Sequence, residues 1–222
     1  MNKNKTTVNR RTTYFDKKEI RTHGQRHSDQ AGELAGMMRL AAKQSPLLRK
    51  QIESIGIAPT KRNAFEMLKK LPVISRERIV QMEIADPPYA GLGNPDAPVD
   101  RIFTSPGPVY EPHLSESDPI WARAYRAAGF GPGDVVLNAF SYHLVAAGLT
   151  FHSGLRRVGA TVVPSGASSA AIQVQLIRDL KATGYTGTPS FLKAILARAE
   201  EEGHDVRKDF RLKRASFAAE PL

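Results

Sequence analysis

Residues 131–166, GPGDVVLNAFSYHLVAAGLTFHSGLRRVGATVVPSG, have the pattern of a strand, a loop, a helix and a second strand. The β-branched run at 135–137 follows a turn rich in glycine and proline, as a buried strand does. From Ser141 onwards the apolar period becomes that of a helix. A second run at 161–163 ends at a proline, and this order of elements predicts a right-handed crossover of a parallel sheet. The predicted inward positions of the helix are Leu144, Gly148, Phe151 and Leu155.

The predicted crossover also indicates where a ligand would bind. Ligands of open parallel sheets lie beyond the carboxyl ends of the strands. In this sequence those ends are residues 138–141 and 164–168. We therefore expect a binding site at this edge of the sheet.

Strands and helices alternate from residue 101 to the end, which predicts an α/β fold with a largely parallel sheet flanked by helices. Earlier apolar periods predict a helical N-terminal layer. We divide the chain into a basic, flexible tail at 1–27, this helical layer with a Pro- and Gly-rich loop at 28–100, and a partial α/β domain at 101–222. The predicted N-caps are Ser28, Ser45, Ser75, Ser169 and Ser190.

The composition excludes several classes of protein. Of the 222 residues 41% are hydrophobic, which permits a sizeable core. Cysteine is absent, which excludes disulfides and thiolate zinc sites and suits a reducing compartment. No apolar run approaches the ~20 residues of a membrane span, and the polar N-terminus lacks the apolar segment of a signal peptide. We therefore predict a cytoplasmic protein without a membrane partner.

The net charge of +10 is concentrated near the N-terminus, where residues 1–27 hold eight lysines and arginines against two acidic residues. Such a segment can attract nucleic acid or anionic lipid. It shows no aromatic–basic interleaving and no nucleic-acid-binding motif, so we interpret it as a solvated tail and expect no nucleic-acid partner. The milder positive charge elsewhere suits anionic small molecules.

Three blocks of the sequence carry a family resemblance. Residues 138–164, NAFSYHLVAAGLTFHSGLRRVGATVVP, are similar to the corresponding stretch of phenylacetate-CoA ligases, in the superfamily of AMP-forming acyl-adenylate synthetases. The GTPS block at 187–190 and the FAAEP block at 217–221 match two further family blocks in the same order. With weaker similarity back to 14–16, the resemblance covers nearly the whole chain but only the N-terminal half of the family's length.

This resemblance implies an AMP-forming aryl-CoA ligase of aromatic acid catabolism. Such an enzyme joins a small-molecule carboxylate to ATP, with Mg²⁺, and then transfers the acyl group to coenzyme A. The resemblance also implies an apolar aryl-acid pocket and an adenine-contacting segment, although each pocket residue taken singly is also compatible with an ordinary core position. The implied pocket residues are Phe140, Tyr142, Val145 and Gly148, and the implied adenine segment is Ala218, Ala219, Glu220 and Pro221.

The loop after the predicted strand 101–104 corresponds to the family's phosphate loop. In that loop backbone N–H groups, hydroxyls and a lysine hold the phosphates of ATP. Thr104, Ser105 and Gly107 match it, whereas the lysine is absent. The prolines within 106–112 also remove N–H donors and stiffen the chain. Two interpretations are therefore open, a phosphate loop and a rigid structural turn.

Side chains are not expected to bind a metal ion, because no spaced-histidine or paired-carboxylate motif is present. His152 matches a histidine of the family, but it lies inside the predicted helix. A hydrogen-bonded core histidine is the commoner outcome at such a position.

The family's later blocks, with the ribose-binding aspartate and the catalytic lysine of the lid, have no counterpart in this sequence. We therefore expect no turnover by the isolated chain and assign no catalytic residue. An excised domain, a truncated product and one half of a split enzyme remain open as its origin, with a C-terminal half, a lid subunit or a homodimer as partner. The alternative from another class is a non-catalytic remnant that binds a nucleotide or acyl group, or a protein-interaction module.

Overall fold

The computed structural model describes residues 14–94, 96–114 and 120–221. The chain forms two compact units, which are described separately. The helical unit runs from residue 17 to residue 115, and the sheet unit comprises the residues up to 16 and from 116 onwards. The boundary between the units therefore follows the predicted strand at 101–104 rather than preceding it.

The N-terminal segment predicted as a tail at 1–27 lies partly outside the described residues. Its described end is helical, because a 3-10 helix at Lys17–Ile20 is followed by helix α1 at His23–Gln44. The prediction of a flexible segment is therefore wrong for the residues of these two helices.

Polar caps begin the helices of the helical unit. Thr22 caps α1 in a reciprocal capping box with Gln25, so the predicted start at Ser28 is wrong. The predicted caps Ser45 and Ser75 are confirmed, because each hydroxyl accepts a hydrogen bond from a backbone N–H of the first turn. The other helices of this unit are α2 Pro46–Glu53, α3 Ala64–Lys70 and α4 Arg76–Ala85.

A small core holds the first three helices together. Met38 of α1, Ile52 of α2 and Met67 of α3 are all buried in it. Met37, which the pattern places inward with Met38, is instead 66% exposed. The flexible methionine side chains fill the gaps between helices of unequal length.

Strands β1, Arg101–Ser105, and β2, Val109–His113, form an antiparallel hairpin. The hairpin is a two-stranded sheet of its own within the helical unit. The prediction that the strand at 101–104 begins the parallel sheet is therefore wrong, because the following proline-rich segment turns back and pairs with it. Glu83 of α4 accepts a hydrogen bond from the Tyr110 N–H and ties the hairpin to that helix.

The sheet unit contains a four-stranded parallel sheet, whose strands lie in the spatial order β4 Thr161–Val163, β3 Val135–Asn138, β5 Gly184–Gly187 and β6 Arg214–Phe217. Helix α6, Ala147–Arg157, connects β3 to β4. The crossover from β3 through helix α6 to β4 is confirmed, as is the α/β fold with a parallel sheet flanked by helices. The other elements of this unit are α5 Ala122–Ala127, α7 Ala170–Asp179, α8 Pro189–Glu201 and α9 Val206–Asp209.

Successive residues of β3 face opposite sides of the sheet. Val136 packs in a core with Tyr125 of α5 and Leu155 of α6. Leu137 packs in a second core with Ile177 of α7 and other residues of α7 and α8. Helices therefore cover both faces, and each fully buried aliphatic side chain contributes about 1.5–3 kcal/mol.

The loop before α6 differs from its prediction. The helix begins at Ala147 and not near Ser141. Leu144, assigned to the inner helical face, is 72% exposed and has a φ of 56°. Hydrogen bonds made by the residues before it, described below, hold this segment as a loop, although its apolar residues recur with a helical period.

Two of the predicted caps lie in the sheet unit. Ser169 caps α7, as predicted. Helix α8 is instead capped by Thr188, so the assignment of its cap to Ser190 is wrong. A proline directly after Thr188 occupies the first helical position, which favours this earlier start.

Candidate functional site

Asn138, the last residue of β3, is the centre of the carboxyl edge of the parallel sheet. It is completely buried. Its backbone oxygen accepts hydrogen bonds from the Gly166 N–H at 2.9 Å and the Ser165 hydroxyl at 3.2 Å, in the loop after β4. The two strand ends predicted to form the binding edge are therefore joined directly.

The side chain of Asn138 also orders the loop that follows β3. Its nitrogen donates hydrogen bonds to the Tyr142 hydroxyl at 2.7 Å and to the Gly148 carbonyl oxygen at 2.8 Å. Its oxygen accepts a hydrogen bond from the Phe140 N–H at 3.2 Å. One buried amide thus holds the loop and the first turn of α6 in a single arrangement, and such bonds are strong where water is excluded.

The predicted pocket residues Phe140 and Tyr142 both pack against α6. The Phe140 ring lies 4.7 Å from the Phe151 ring, and the Tyr142 ring lies 6.0 Å from the His152 ring. Both predicted pocket rings are half-buried, as is Val145 in the same loop. A partly open edge of this kind offers apolar and aromatic surface to a flat ligand.

Gly148, the fourth predicted pocket residue, is buried in a close contact between the loop and α6. A Cβ atom at this position would lie 2.3 Å from the Ser141 carbonyl oxygen and 3.0 Å from the Tyr142 ring. The missing side chain therefore lets the loop lie directly on the helix. This contact explains the glycine without a ligand.

Tyr142 and His152 form a hydrogen-bonded pair, with 3.2 Å between the Tyr142 hydroxyl oxygen and His152 Nδ1. Burial raises the pKa of Tyr142 to about 12, although the hydrogen bond from Asn138 opposes this shift. Burial, with the positive charge of Arg156, lowers the pKa of His152. Both side chains are therefore neutral at neutral pH, and the edge presents hydrogen bonds and apolar surface rather than charge.

The predicted adenine segment, 218–221, leaves β6 beside the end of β5, where the Ala218 N–H donates to the last residue of that strand at 3.3 Å. Ala219 has a φ of 72°. The Glu220 carboxylate accepts hydrogen bonds from the Ser190 hydroxyl at 2.7 Å and the Ser190 N–H at 3.2 Å. A carboxylate is stabilising at this position, the N-terminus of α8. Glu220 therefore already has a structural contact.

Thr104, Ser105 and Gly107, the predicted phosphate contacts, lie in the hairpin of the helical unit. The Ser105 hydroxyl donates to the Glu111 carboxylate and accepts a hydrogen bond from Arg76 at 2.9 Å. The one proton of this hydroxyl is therefore directed at a carboxylate rather than offered to a ligand.

The hairpin turn also packs closely on α4. A Cβ atom on Gly107 would lie 2.7 Å from Val80. The Tyr110 N–H donates to the buried carboxylate of Glu83 at 2.8 Å.

Glu83 and Glu111 thus place two carboxylates beside the turn. The guanidinium of Arg76, which contacts the turn, already donates to Ser105 and to the Pro106 carbonyl oxygen. These contacts favour the structural turn among the two interpretations left open by the sequence.

The described ranges contain no cluster of three or more histidine and acidic side chains that could hold a metal ion. In the same part of the chain each helix is either too short or too polar to cross a membrane. The His113 Nδ1 atom lies 3.1 Å from a carboxylate oxygen of Asp100 at the open end of the hairpin.

The sequence is similar to curated ligases over most of its length. It is 31% identical to the phenylacetate-coenzyme A ligase of Pseudomonas putida over 184 residues, which are 79% of this chain and 41% of that protein. Over about four fifths of its length the chain is therefore similar to phenylacetate-CoA ligases. The enzyme of the same name from Aromatoleum evansii is 30% identical over 86% of this chain and 44% of its own length. No protein-family profile matches.

This similarity in sequence is accompanied by a shared fold. A structure of 2-hydroxyisobutyryl-CoA ligase with 2-HIB-AMP and CoA in the thioesterification state has a TM-score of 0.83 and 24% identity, covering 95% of this chain and 47% of that one. An open conformation of the ligase has a TM-score of 0.77 and 25% identity, covering 86% and 43%. This chain spans less than half the length of the curated relatives that it matches.

Two residues at the carboxyl edge were not assigned a role in the site by sequence reasoning. Asn138 carried a signal, because a polar residue ends an otherwise apolar strand in the block shared with the family. No sequence signal indicates the contact of His152 with Tyr142. One residue lies in a loop and the other in a helix, so no periodic pattern relates their positions.

Proposed function

We propose that this chain forms the N-terminal part of an AMP-forming acyl-CoA ligase that acts on an aromatic carboxylic acid. The observation that carries this proposal is the carboxyl edge of the sheet. There one buried amide binds the Tyr142 hydroxyl and the Phe140 backbone N–H, in a chain similar to phenylacetate-CoA ligases. The edge lies where ligands of open parallel sheets bind.

In the complete reaction a carboxylate oxygen attacks the α-phosphate of ATP, and pyrophosphate leaves. The thiol of CoA then attacks the acyl carbonyl carbon, and AMP leaves. In this proposal Phe140, Tyr142 and Val145 contact the ring of the acid, because they supply the apolar surface of the edge. Gly148 contributes indirectly, by allowing the loop to lie on α6. The reaction takes place in the cytoplasm, which suits a chain without cysteine.

For the nucleotide, the segment 218–221 is proposed to pass along adenine with its backbone, while Glu220 stays bound to α8. Phosphate contacts by Thr104, Ser105 and Gly107 remain a prediction, and the surroundings of Ser105 do not favour them. Mg²⁺ is proposed to reach the site bound mainly to the phosphates of ATP, because such phosphates are its usual ligands in this kind of reaction.

We further propose that the isolated chain does not turn over. It spans 41% to 44% of the length of two phenylacetate-CoA ligases. Turnover is therefore proposed to require the rest of that length, carried on this polypeptide or on a separate one. Pyrophosphate exchange into ATP that depends on an aryl acid should stay at background with the pure chain. Exchange above background would contradict this.

Titration with phenylacetate tests the acyl site directly. We expect amide NMR shifts that cluster at residues 138–148, with a dissociation constant near 1 mM, which corresponds to roughly 4 kcal/mol. Acetate, which lacks the ring, should produce no such cluster. The Phe140→Ala variant should bind more weakly, whereas Phe191→Ala, which truncates a half-buried ring of the other core, should not. Shifts that are absent, or that cluster elsewhere, would contradict the acyl site.

Among the non-catalytic alternatives, which also include a nucleotide-binding remnant, the second candidate function is an acyl-binding remnant or a protein-interaction module. The observation that favours it is the hairpin, where carboxylates occupy the surroundings of the expected phosphate contacts. Such a protein would not bind Mg-ATP, whether or not it binds phenylacetate. Calorimetric titration with Mg-ATP therefore separates the two functions.

A further inference from the structure

Among the described residues, His152 is the one polar side chain of α6 that has a hydrogen bond to an aromatic residue of the carboxyl edge. Its Nδ1 lies 3.2 Å from the Tyr142 hydroxyl oxygen, and the two rings meet edge to face. The side chain is only half-buried, so packing alone does not account for it.

The hydrogen-bond partners of Asn138 determine where the proton of this pair lies. The Phe140 N–H can only donate, so the atom of Asn138 that faces it is the oxygen. The Gly148 carbonyl can only accept, so the atom that faces it is the nitrogen. The second proton of the same nitrogen is then directed at the Tyr142 hydroxyl, which accepts it.

Because the Tyr142 oxygen accepts from Asn138, its own proton is left for His152 Nδ1. The arrangement that gives the Tyr142 proton an acceptor therefore has an unprotonated Nδ1, with the proton of the neutral imidazole on Nε2. The chain Asn138, Tyr142, His152 is thus an ordered series of donors that ends on the imidazole.

We propose that His152 is a positioning residue of the carboxyl edge, whose unprotonated Nδ1 holds the Tyr142 hydroxyl and thereby fixes the Tyr142 ring for an acyl ligand. The ligand part of this inference rests on the proposed function. The orientation of the Tyr142 ring does not, because it follows from the hydrogen bonds alone.

Protonation of His152 breaks this order. A proton on Nδ1 would point at the Tyr142 hydroxyl, whose own proton would lose its acceptor. The charged and titratable groups that face the imidazole are Tyr142, from the loop, and Arg156, on the same helix, and the positive charge of Arg156 disfavours a second cation. Mild acid should therefore release the ring and weaken ligand binding.

The first test needs no ligand. Long-range ¹H–¹⁵N correlation spectra of the wild-type chain near pH 7.5, about one unit above the ordinary histidine pKa, should show His152 as the Nε2–H tautomer. The Tyr142→Phe variant removes the donor to Nδ1 and should shift the tautomer ratio. A predominant Nδ1–H tautomer in the wild type, or a ratio unchanged in Tyr142→Phe, would overturn the inference.

The second test uses phenylacetate. Lowering the pH from about 7.5 to below the lowered folded pKa of His152, which lies under the ordinary value of about 6.5, should weaken wild-type binding at least about threefold. His152→Asn keeps an acceptor oxygen near the position of Nδ1 but does not titrate, so its affinity should match the wild type at the higher pH and stay constant. His152→Leu should bind weakly at both. His143→Asn, an exposed control in the same loop, should retain the wild-type pH dependence.

The two tests distinguish failure of the proposed function from failure of the positioning role. If neither the wild type nor any variant binds phenylacetate, the proposed function falls, and the tautomer spectra alone decide whether His152 positions Tyr142. If phenylacetate binds but His152→Asn behaves like His152→Leu, the histidine acts only by its size, and the positioning role is rejected.

Discussion

The side-chain nitrogen of Asn138 lies 2.7 Å from the Tyr142 hydroxyl, where β3 passes into the loop. The same amide also bonds to Phe140 and Gly148, so its loss would leave several buried polar groups without partners. The carboxyl edge therefore depends on a single residue of the sheet.

Replacing Asn138 with leucine should lower the free energy of unfolding by about 3 kcal/mol, because an unsatisfied buried donor or acceptor costs about 1–3 kcal/mol. Urea unfolding followed by circular dichroism measures this. Ser165→Ala is a matched control, because it removes only one 3.2 Å bond to the same residue and should cost under about 1 kcal/mol. Equal losses in the two variants would contradict a central role of the amide.

Stability should also depend on pH through His152. Its pKa in the folded chain is lowered by burial and by Arg156, so in mild acid the unfolded chain binds a proton that the folded chain does not. The free energy of unfolding should therefore fall as the pH drops below about 6.5, the ordinary pKa, until the folded pKa is passed. Urea midpoints across this range should decline less steeply in His152→Asn. A control variant, His143→Asn, should keep the wild-type slope, and an unchanged slope in His152→Asn would contradict the assignment.

Local patterns in the sequence were sufficient for the order of elements in the sheet unit. The short apolar runs at 135–137 and 161–163 correspond to β3 and β4, because buried parallel strands are short and rich in β-branched residues. The capping hydroxyls of Ser45, Ser75 and Ser169 act on the residues that directly follow them, so they too were readable from local sequence.

Contacts between distant residues were not readable in this way. Arg214 donates hydrogen bonds to Asp134 at 2.7 and 2.8 Å, although 80 positions separate them. Leu144 fits an apolar helical period, but the buried amide of Asn138 holds that segment as a loop through hydrogen bonds to residues 4 and 10 positions further on, which no periodic pattern reports. A hydrophobic pattern indicates which residues prefer to be buried. It does not indicate where hydrogen bonds of polar groups override that preference.

The contact between Glu220 and Ser190 gives a third prediction. Glu220→Ala removes two hydrogen bonds at the start of α8, so the amide of Ser190 should exchange with solvent about fivefold faster, the effect of about 1 kcal/mol. Hydrogen-exchange NMR measures it. Glu200→Ala, an exposed change on the same helix, is the control and should leave this amide unchanged. An unaltered exchange rate of the Ser190 amide in Glu220→Ala would contradict the structural role of Glu220 and would leave its carboxylate available for a ligand.

The hairpin between β1 and β2 allows its two interpretations to be separated by one variant. Pro106→Gly, Pro108→Thr and Tyr110→Lys together restore N–H donors and supply a lysine. Because the Ser105 hydroxyl is bonded to Glu111, we expect a lower melting temperature from the lost prolines and no gain in Mg-ATP affinity. A phosphate loop would instead gain about tenfold or more in Mg-ATP affinity, since one charge-assisted hydrogen bond contributes about 1.5–3 kcal/mol.

Tyr110→Lys alone controls for added charge. Calorimetric titration and a melting curve measure both quantities, and a tenfold gain in affinity would reject the structural turn.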